Sequence, residues 1–325
     1  VGYYALVESA FRAAQGLGVA EHRDRLAAMY SRFSEIAADN PHAWKRERLA
    51  AAEIRDATPR NRMLAFPYTR LHNTSWNVDQ AAALLLCSAA RAEALGIARS
   101  RWVFPRASTE SNHMLALSER PALHRLPGAR IAGQRALELS GLAPGALDFV
   151  ELYSCFPVAV ELYAAELGIP ADRDWTVTGG MPFAGGPLNN YVLQATARMA
   201  ELLRDKPGSS GLVSSVSGYL TKQGFGVWSA EPGPRGFVFA DVSAEVAAES
   251  PPRVVVPPAD GVARICGYTV MYHNDQRVCG VALLDRPDGT RTLANTLDQA
   301  LMDRLESEEC CHRVARLAGG RFSLD

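Results

Sequence analysis

The chain has 325 residues and a mass of 35.2 kDa, with 48% apolar and 21% charged residues, the balance of a globular protein that buries a sizeable core. Its 34 Lys and Arg residues nearly cancel 35 Asp and Glu residues, which excludes a polyelectrolyte binder of nucleic acid or anionic membranes. No stretch of the sequence approaches the roughly 20 apolar residues that a membrane-spanning helix needs. Six cysteines in a chain of this length are not a disulfide framework, so we expect a reducing, cytoplasmic location.

The N-terminal part predicts a helix followed by a long polar excursion. Apolar residues within 26–37 recur at the spacing of one helix face, and Asn40-Pro41 ends that helix. Residues 42–78 are polar and irregular, which predicts a loop subdomain. The apolar run 81–86 then predicts a buried strand or a tightly packed helix. Because the chain does not begin with Met, we expect a fragment or a processed product.

Strands alternate with helices from about residue 122, which predicts a layered α/β architecture. Prolines favour the first position of a helix and glycines favour its end, so both residues mark element boundaries here. In chain order, the predicted elements are a helix at 131–139 closed by Gly141, a strand at 149–152, a helix at 157–167 closed by Gly168, a helix that begins at Pro187, and strands at 211–217 and 225–229.

Six prolines between residues 232 and 258 predict a linker to a small β-rich unit. Within that unit, 262–272 and 278–284 alternate like strands and 297–305 is typical of a helix. Residues 254–325 contain eight arginines against ten Asp and Glu residues, a net charge of −2. This sign argues against binding of nucleic acid and favours contact with a protein partner.

Three loops could meet at one site, because ligands of α/β sheets bind at the carboxyl ends of strands. The first loop, Tyr153-Ser154-Cys155, follows a predicted strand and precedes a predicted helix. The positive end of that helix would favour a thiolate at Cys155, which could then act as an acid/base or nucleophile. The alternative is that Cys155 is a small buried apolar residue, as most free cysteines are.

The second loop is rich in glycine and contains Gly185, Gly186, Asn189 and Asn190. Its glycines would let a ligand approach the backbone, and the following helix would offer N–H groups to a carbonyl oxygen. The alternative is a tight turn with an asparagine-assisted helix cap.

The third loop, 217–226, contains Ser217, Gly218, Thr221 and Lys222. Lys222 is one of only three lysines and could meet an anionic group, although a hairpin lysine more often faces solvent.

Neither a metal nor a bound cofactor is predicted from the motifs. Cys310-Cys311-His312 are adjacent rather than spaced for a tetrahedral metal site, and the remaining cysteines are isolated. The nucleotide-binding patterns GxGxxG and GxxxxGK[ST] do not occur.

Five segments can be compared with known families, in chain order: NPHA at 40–43, VDQAAA at 78–83, DFVELYSCF at 148–156, GGPL at 185–188 and GYLTK at 218–222. Taken together, these segments resemble the thiolase superfamily, and specifically sterol-carrier-protein-type thiolases and related actinobacterial acetyl-CoA acetyltransferase or thiolase-like proteins. The resemblance covers about residues 40–230, and the part after about 255 is similar to the additional C-terminal domain of thiolase-like proteins.

The resemblance implies a thiolase-like layered α/β fold with an incomplete N-terminal half, plus a small β-rich C-terminal domain. It divides the chain into a remnant of the N-terminal half with a loop subdomain (1–100), the C-terminal half (101–235), and a linker with the additional domain (236–325). It leaves open a homo-oligomer or a protein partner that binds through the C-terminal domain.

The implied activity is that of an acyl-CoA acyltransferase of lipid metabolism, which joins or thiolytically cleaves 3-oxoacyl-CoA with the coenzyme A thioester as a substrate. The resemblance makes Cys155 the acid/base and places Tyr153 and Gly186 where groups hydrogen-bond a thioester oxygen. The residues that would contact the substrate are Ser154, Gly185, Asn189, Asn190, Ser217, Gly218, Thr221 and Lys222.

Several positions depart from the family pattern. Gly186 stands where the family has histidine, Tyr153 where it has asparagine or histidine, and Gln223 where related sequences often have histidine. The loop with the nucleophilic cysteine and the later second cysteine have no counterpart in this sequence. A second hypothesis is therefore a catalytically inactive protein that binds acyl-CoA or lipid.

Overall fold

The computed structural model describes residues 1–324, which form ten α-helices and twelve β-strands. The helices are α1 (Gly2–Ala14), α2 (Val19–Asp39), α3 (Ala51–Arg55), α4 (Ala89–Ala94), α5 (Pro127–Ser140), α6 (Pro157–Leu167), α7 (Met181–Ala184), α8 (Tyr191–Asp205), α9 (Ser243–Glu249) and α10 (Gln299–Ser307). The strands are β1 (Met63–Ala65), β2 (Tyr68–Thr69), β3 (Phe104–Asn112), β4 (Phe149–Glu151), β5 (Ser210–Ser217), β6 (Lys222–Ser229), β7 (Val238–Asp241), β8 (Gly261–His273), β9 (Gln276–Asp285), β10 (Arg291–Thr296), β11 (Val314–Ala318) and β12 (Arg321–Ser323). Across residues 1–324, every helix is too short or too polar to span a lipid bilayer.

Proline and glycine set the helix boundaries where the sequence predicts them. Helix α6 begins at Pro157, whose missing N–H costs nothing in the first turn of a helix. Helices α5 and α6 end at Gly141 and Gly168, whose φ angles of 72° and 66° lie in the left-handed region that glycine adopts freely. The predicted end of α2 before Asn40 and the predicted strand at β4 are also confirmed.

A five-stranded sheet in the order β4-β5-β6-β3-β7 forms the scaffold of the candidate site. Strands β4 and β5 are parallel, as are β3 and β7, while β6 runs antiparallel to both β5 and β3. Four strands therefore end at the same edge of the sheet, and the β5–β6 hairpin turns there. The first and third predicted loops leave the sheet at this edge.

A seven-stranded sheet in the order β11-β12-β10-β9-β8-β1-β2 holds the C-terminal strands. Its outer pair, β1 and β2, comes from residues 63–69, and β1 pairs with β8 in antiparallel register. Met302 and Leu305 of α10 belong to the buried cluster on this sheet. The strands of this sheet thus come from two of the three predicted domains, 1–100 and 236–325. The division of the chain into domains at residues 100 and 235 stays a prediction.

The prediction of a buried strand or helix at 81–86 is wrong. This run lies outside every helix and both sheets, and Leu85 and Leu86 are 86% and 70% exposed. Apolar composition alone does not bury a segment. Burial requires an apolar surface that packs against the segment, and a buried extended segment also requires a neighbouring strand that pairs with its backbone N–H and C=O groups.

Two further boundaries differ from the sequence-based expectation. The helix predicted from Pro187 begins only at Tyr191, because Leu188 has a positive φ of 48° and the residues 188–190 form a single 3₁₀ turn. The proline-rich stretch predicted as a linker contains β7 and α9, and β7 extends the five-stranded sheet.

We expect Gly267→Ala to lower the free energy of unfolding by about 1 to 3 kcal/mol, the usual cost of overpacking a core. A Cβ at position 267 of β8 would lie 2.7 Å from the backbone oxygen of Leu6 in α1 and 2.9 Å from a methyl group of Leu123. The control is Gly145→Ala, where nothing lies within 4 Å of the added carbon. Urea denaturation of both variants measures the effect, and equal midpoints would contradict the close packing of α1 on β8.

Candidate active site at the strand-to-helix corner of Cys155

Cys155 lies in the connection between β4 and α6, two residues before the helix begins. Its side chain is buried, with 9% of the residue exposed. Burial raises the pKa of the thiol to about 12, and the favourable contacts at the corner do not offset that loss of solvation. The expectation of a thiolate stabilised by the helix terminus is therefore wrong, and Cys155 carries a neutral thiol near pH 7.

Helix α1 covers this corner with two tyrosines. The ring of Tyr4 stacks on Phe156, the residue after Cys155, at a centroid distance of 4.0 Å. Tyr3 stacks on Tyr219 of the β5–β6 hairpin at 4.8 Å. The third loop therefore reaches the Cys155 corner through α1, a contact that nothing in the sequence motifs indicates.

The segment 73–75 links Gly186 to the same corner. The N–H of Gly186 donates to the carbonyl oxygen of Ser75 at 2.9 Å, and the hydroxyl of Thr74 donates to the carbonyl oxygen of Cys155 at 3.4 Å. A Cβ at position 186 would lie 2.6 Å from Met181 and 2.7 Å from the Thr74 methyl group. The position therefore has no room for the histidine of the family pattern unless these neighbours move.

Ser154 is fully buried and acts as a structural contact between the first two loops. Its hydroxyl oxygen accepts a hydrogen bond from the N–H of Met181 at 2.9 Å, at the point where α7 begins. Tyr153 is half-buried, its N–H donates to the hydroxyl of Ser214, and its ring meets Tyr191 edge-on at 5.6 Å. Burial raises the pKa of the Tyr153 hydroxyl to about 12, so this group stays protonated and can donate a hydrogen bond.

Glu151, which the sequence motifs do not single out as a site residue, anchors the second loop to the end of β4. Its buried carboxylate accepts hydrogen bonds from the N–H groups of Val177 and Thr178 at 2.8 and 3.0 Å. The hydroxyls of Thr176 and Tyr191 donate to the same carboxylate. Burial raises the pKa of Glu151, and the hydrogen bonds from these donors partly oppose that rise. A buried carboxyl group that accepts this many hydrogen bonds indicates that the turn at residues 176–178 is fixed in place.

Some of the remaining predicted site residues lie in buried turns, and others are exposed to solvent. Gly185 has a φ of 95° and packs against the amide of Gln80, whereas Asn189 is exposed and Asn190 is half-buried. Lys45 donates to the hydroxyl of Ser75 at 3.0 Å, so a lysine outside the predicted set borders the second loop.

The β5–β6 hairpin turns through three consecutive residues with positive φ, Gly218, Tyr219 and Leu220. Thr221 is buried, and its hydroxyl donates to the Gly218 oxygen at 2.6 Å, while Ser217 and Lys222 are exposed. Thr221 lines a cleft of about 90 Å³ together with Arg120 and Gln223, and neither Tyr153 nor Gly186 lines that cleft. The first and third loops contact α1 and the second loop contacts the first, but the three loops do not share this opening.

Solved structures and curated relatives identify the family of this arrangement. A monomeric SCP2-thiolase like protein type 1 from Mycobacterium smegmatis superposes with a TM-score of 0.85 and 30% identity, covering 99% of this chain and 72% of that one. The chain belongs to the SCP2-thiolase-like proteins of the thiolase superfamily. The family resemblance and the thiolase-like α/β fold are thus confirmed. An Ltp2-ChsH2(DUF35) aldolase shares the fold at 18% identity and a TM-score of 0.54, covering 70% of this chain and 63% of that one.

Two curated relatives are acetyl-CoA acetyltransferases from methanogens. The protein from Methanothermobacter thermautotrophicus is 27% identical over 203 residues, which cover 57% of this chain and 51% of the relative. The protein from Methanocaldococcus jannaschii is 25% identical over 134 residues, which cover 41% of this chain and 33% of the relative. The matched regions span about half or less of these curated relatives. No protein-family model matches the chain.

We expect Glu151→Gln to lower the free energy of unfolding by about 2 to 4 kcal/mol, because an amide nitrogen would face buried donors and leave at least one unpaired. The matched control is Glu47→Gln, which changes an exposed carboxylate. Urea denaturation gives the comparison. A loss no larger than that of the control would show that the carboxylate does not hold the turn.

Alkylation tests the protonation state of Cys155. Because the pKa of Cys155 is about 12, its thiolate fraction at pH 8 is on the order of a thousandfold below that of an ordinary cysteine thiol. We expect iodoacetamide to modify exposed Cys87 rapidly at pH 8 and to leave Cys155 unmodified, as read by peptide mass spectrometry. The Cys155 rate should keep rising up to pH 11, and a plateau below pH 9 would contradict the neutral thiol.

Proposed function

We propose that this chain binds an acyl-CoA thioester and takes part in acyl transfer of the thiolase type, with Cys155 as the acid/base. The observation that carries the proposal is the position of a neutral Cys155 thiol at the junction of the first and second loops, in a chain of this family. Two curated relatives are named acetyl-CoA acetyltransferases, which supports the acetyl-CoA class of substrate.

At neutral pH a thiol with a pKa near 12 is almost entirely protonated. It can therefore donate a proton, whereas its thiolate is too rare to act often as a general base. In thiolytic cleavage of a 3-oxoacyl-CoA, the bond between the α-carbon and the 3-carbonyl carbon breaks and the α-carbon keeps the electron pair. Cys155 would donate its proton to that carbon, and the thiolate would recover a proton from the incoming coenzyme A thiol. The acyl group also needs a nucleophile, a role to which we assign no residue of this chain.

Tyr153 would stabilise the enolate oxygen of this step. Its hydroxyl stays protonated and can donate a hydrogen bond that strengthens as negative charge develops. The N–H of Gly186 already donates to Ser75, so Gly186 would hold the second loop against the corner rather than act as a donor to the substrate. Exposed Lys222, with Ser217 and Asn189, would contact the polar coenzyme A portion.

A second candidate is a protein that binds acyl-CoA or lipid without turnover. The specific observation in its favour is that the Cys155 thiol is buried next to the stacked rings of Tyr4 and Phe156, and this burial raises its pKa. In this reading the site would select a thioester by shape and hydrogen bonding alone.

In a version of the protein that also supplies the nucleophile, we expect Cys155→Ser to lower thiolysis of acetoacetyl-CoA by roughly 100-fold or more, the usual contribution of a positioned acid/base. The matched control is Cys87→Ser, which alters an exposed cysteine and should leave turnover unchanged. Thermal melting of both variants checks that the fold is intact. Turnover equal to that of the unmodified protein would remove Cys155 from the mechanism.

Calorimetry with coenzyme A and with acetyl-CoA separates the two candidates. Saturable binding without turnover would favour the binding protein, and binding with turnover would favour the acyltransferase. Absence of both would contradict both candidates.

A further inference from the structure

Three buried side chains from three different helices converge behind the candidate active site. They are Glu8 of α1, His22 of α2 and Glu161 of α6, and each is less than a tenth exposed. The His22 Nε2 atom lies 2.6 Å from Glu8 Oε1 and 3.8 Å from Glu161 Oε2. One nitrogen or oxygen from each residue lies within 4.8 Å of the other two, the compactness of a metal-ligand set.

The hydrogen bonds of this cluster are incomplete. The second oxygen of Glu8 accepts from the hydroxyl of Tyr68 at 2.5 Å, which fixes that carboxylate. Within the described part of the chain, Glu161 Oε2, the Tyr30 hydroxyl and His22 Nδ1 have no hydrogen-bond partner, although all three are buried. Buried polar atoms without partners are rare in folded proteins, and several at one place indicate a bound ion or water.

We propose that Glu8, His22 and Glu161 bind one divalent transition-metal ion, for which zinc is the best match. One imidazole nitrogen and two carboxylate oxygens are donors that zinc accepts at about 2.0 to 2.2 Å, and three protein ligands leave a fourth position for water. The double positive charge would neutralise both buried carboxylates. Tyr68 would orient Glu8 by donating a hydrogen bond from the second coordination shell. Metal ligands in proteins are usually oriented by hydrogen bonds of this kind.

Binding exchanges one proton for the metal. The Glu161 carboxyl releases its proton to solvent, and the hydrogen of His22 moves from Nε2 to Nδ1 so that Nε2 can bind the metal. The hydrogen bond between His22 and Glu8 is replaced by metal–ligand bonds. Ligand atoms around a tetrahedral zinc lie roughly 3.4 Å apart, so Glu8 and His22 separate by less than 1 Å while Glu161 approaches. Without a metal, burial beside Glu8 raises the pKa of Glu161 well above its usual range, and that carboxyl is protonated.

The proposed entry path for the ion runs along α2 and α6. Glu161 lines an open cleft of about 310 Å³ together with Phe33 and Trp175, and the same cleft is lined by Arg25, Arg32 and Arg173. The ion would pass these guanidinium groups to reach the Glu161 carboxylate, without unfolding of the three helices.

The test uses the purified chain, stripped with a chelator and then titrated with zinc chloride. We expect about one zinc per chain by plasma mass spectrometry after dialysis, and a melting temperature that rises by several degrees on zinc addition. Glu161→Gln should weaken zinc binding at least about tenfold. Without metal the variant should melt no lower than the parent, because the parent carboxyl is then also uncharged and the amide has nearly the same size.

The matched control is Glu166→Gln on the same helix, whose carboxylate pairs with Arg125 away from the cluster and whose loss should leave zinc affinity unchanged. Three outcomes would overturn the proposal. The first is that the parent protein retains no zinc, and the second is that Glu161→Gln binds zinc as tightly as the parent. The third is a thiolate charge-transfer band after cobalt substitution, which would assign the metal to cysteines.

Discussion

The buried carboxylate of Glu151 is the constraint on which the candidate site depends. It accepts hydrogen bonds from two backbone N–H groups and from the hydroxyls of Thr176 and Tyr191, and so fixes the turn that leads into the second loop. Ser154 then joins the first loop to the N–H of Met181. Each of these contacts joins backbone or side chains that are more than 20 residues apart, so the relative position of Cys155 and Gly186 follows from them.

Desolvation, rather than the field of helix α6, decides the chemistry of Cys155. A helix terminus stabilises a nearby negative charge by about 0.3 to 1 kcal/mol, and up to about 2 kcal/mol when partly buried. A rise in the thiol pKa from 9 to about 12 corresponds to about 4 kcal/mol against the charged form. Because burial outweighs the helix, the corner presents a proton donor, and the proposed chemistry follows from the burial of the Cys155 thiol.

Helices α1 and α6 take part in both proposed sites. Cys155 immediately precedes α6, and Glu161 lies in its second turn, while α1 contributes Tyr4 to one site and Glu8 to the other. A metal ion that joined α1, α2 and α6 would therefore also hold in place the helix that covers the thiol. The covering helix is in turn packed on β8 with no space for a side chain at Gly267, so the two sheets and the corner form one packed unit.

The sequence by itself determined the local features and the family. Pro157, Gly141 and Gly168 mark helix ends because their backbone preferences act within a few residues, and the ordered motifs around Cys155 and Gly186 were sufficient to recognise a thiolase-type α/β fold. Only the tertiary structure decided that Leu85 and Leu86 are exposed, that the Cys155 thiol is neutral and that Glu8, His22 and Glu161 meet. Burial and contacts between residues far apart in the chain depend on how all the elements pack together, and no local pattern encodes them.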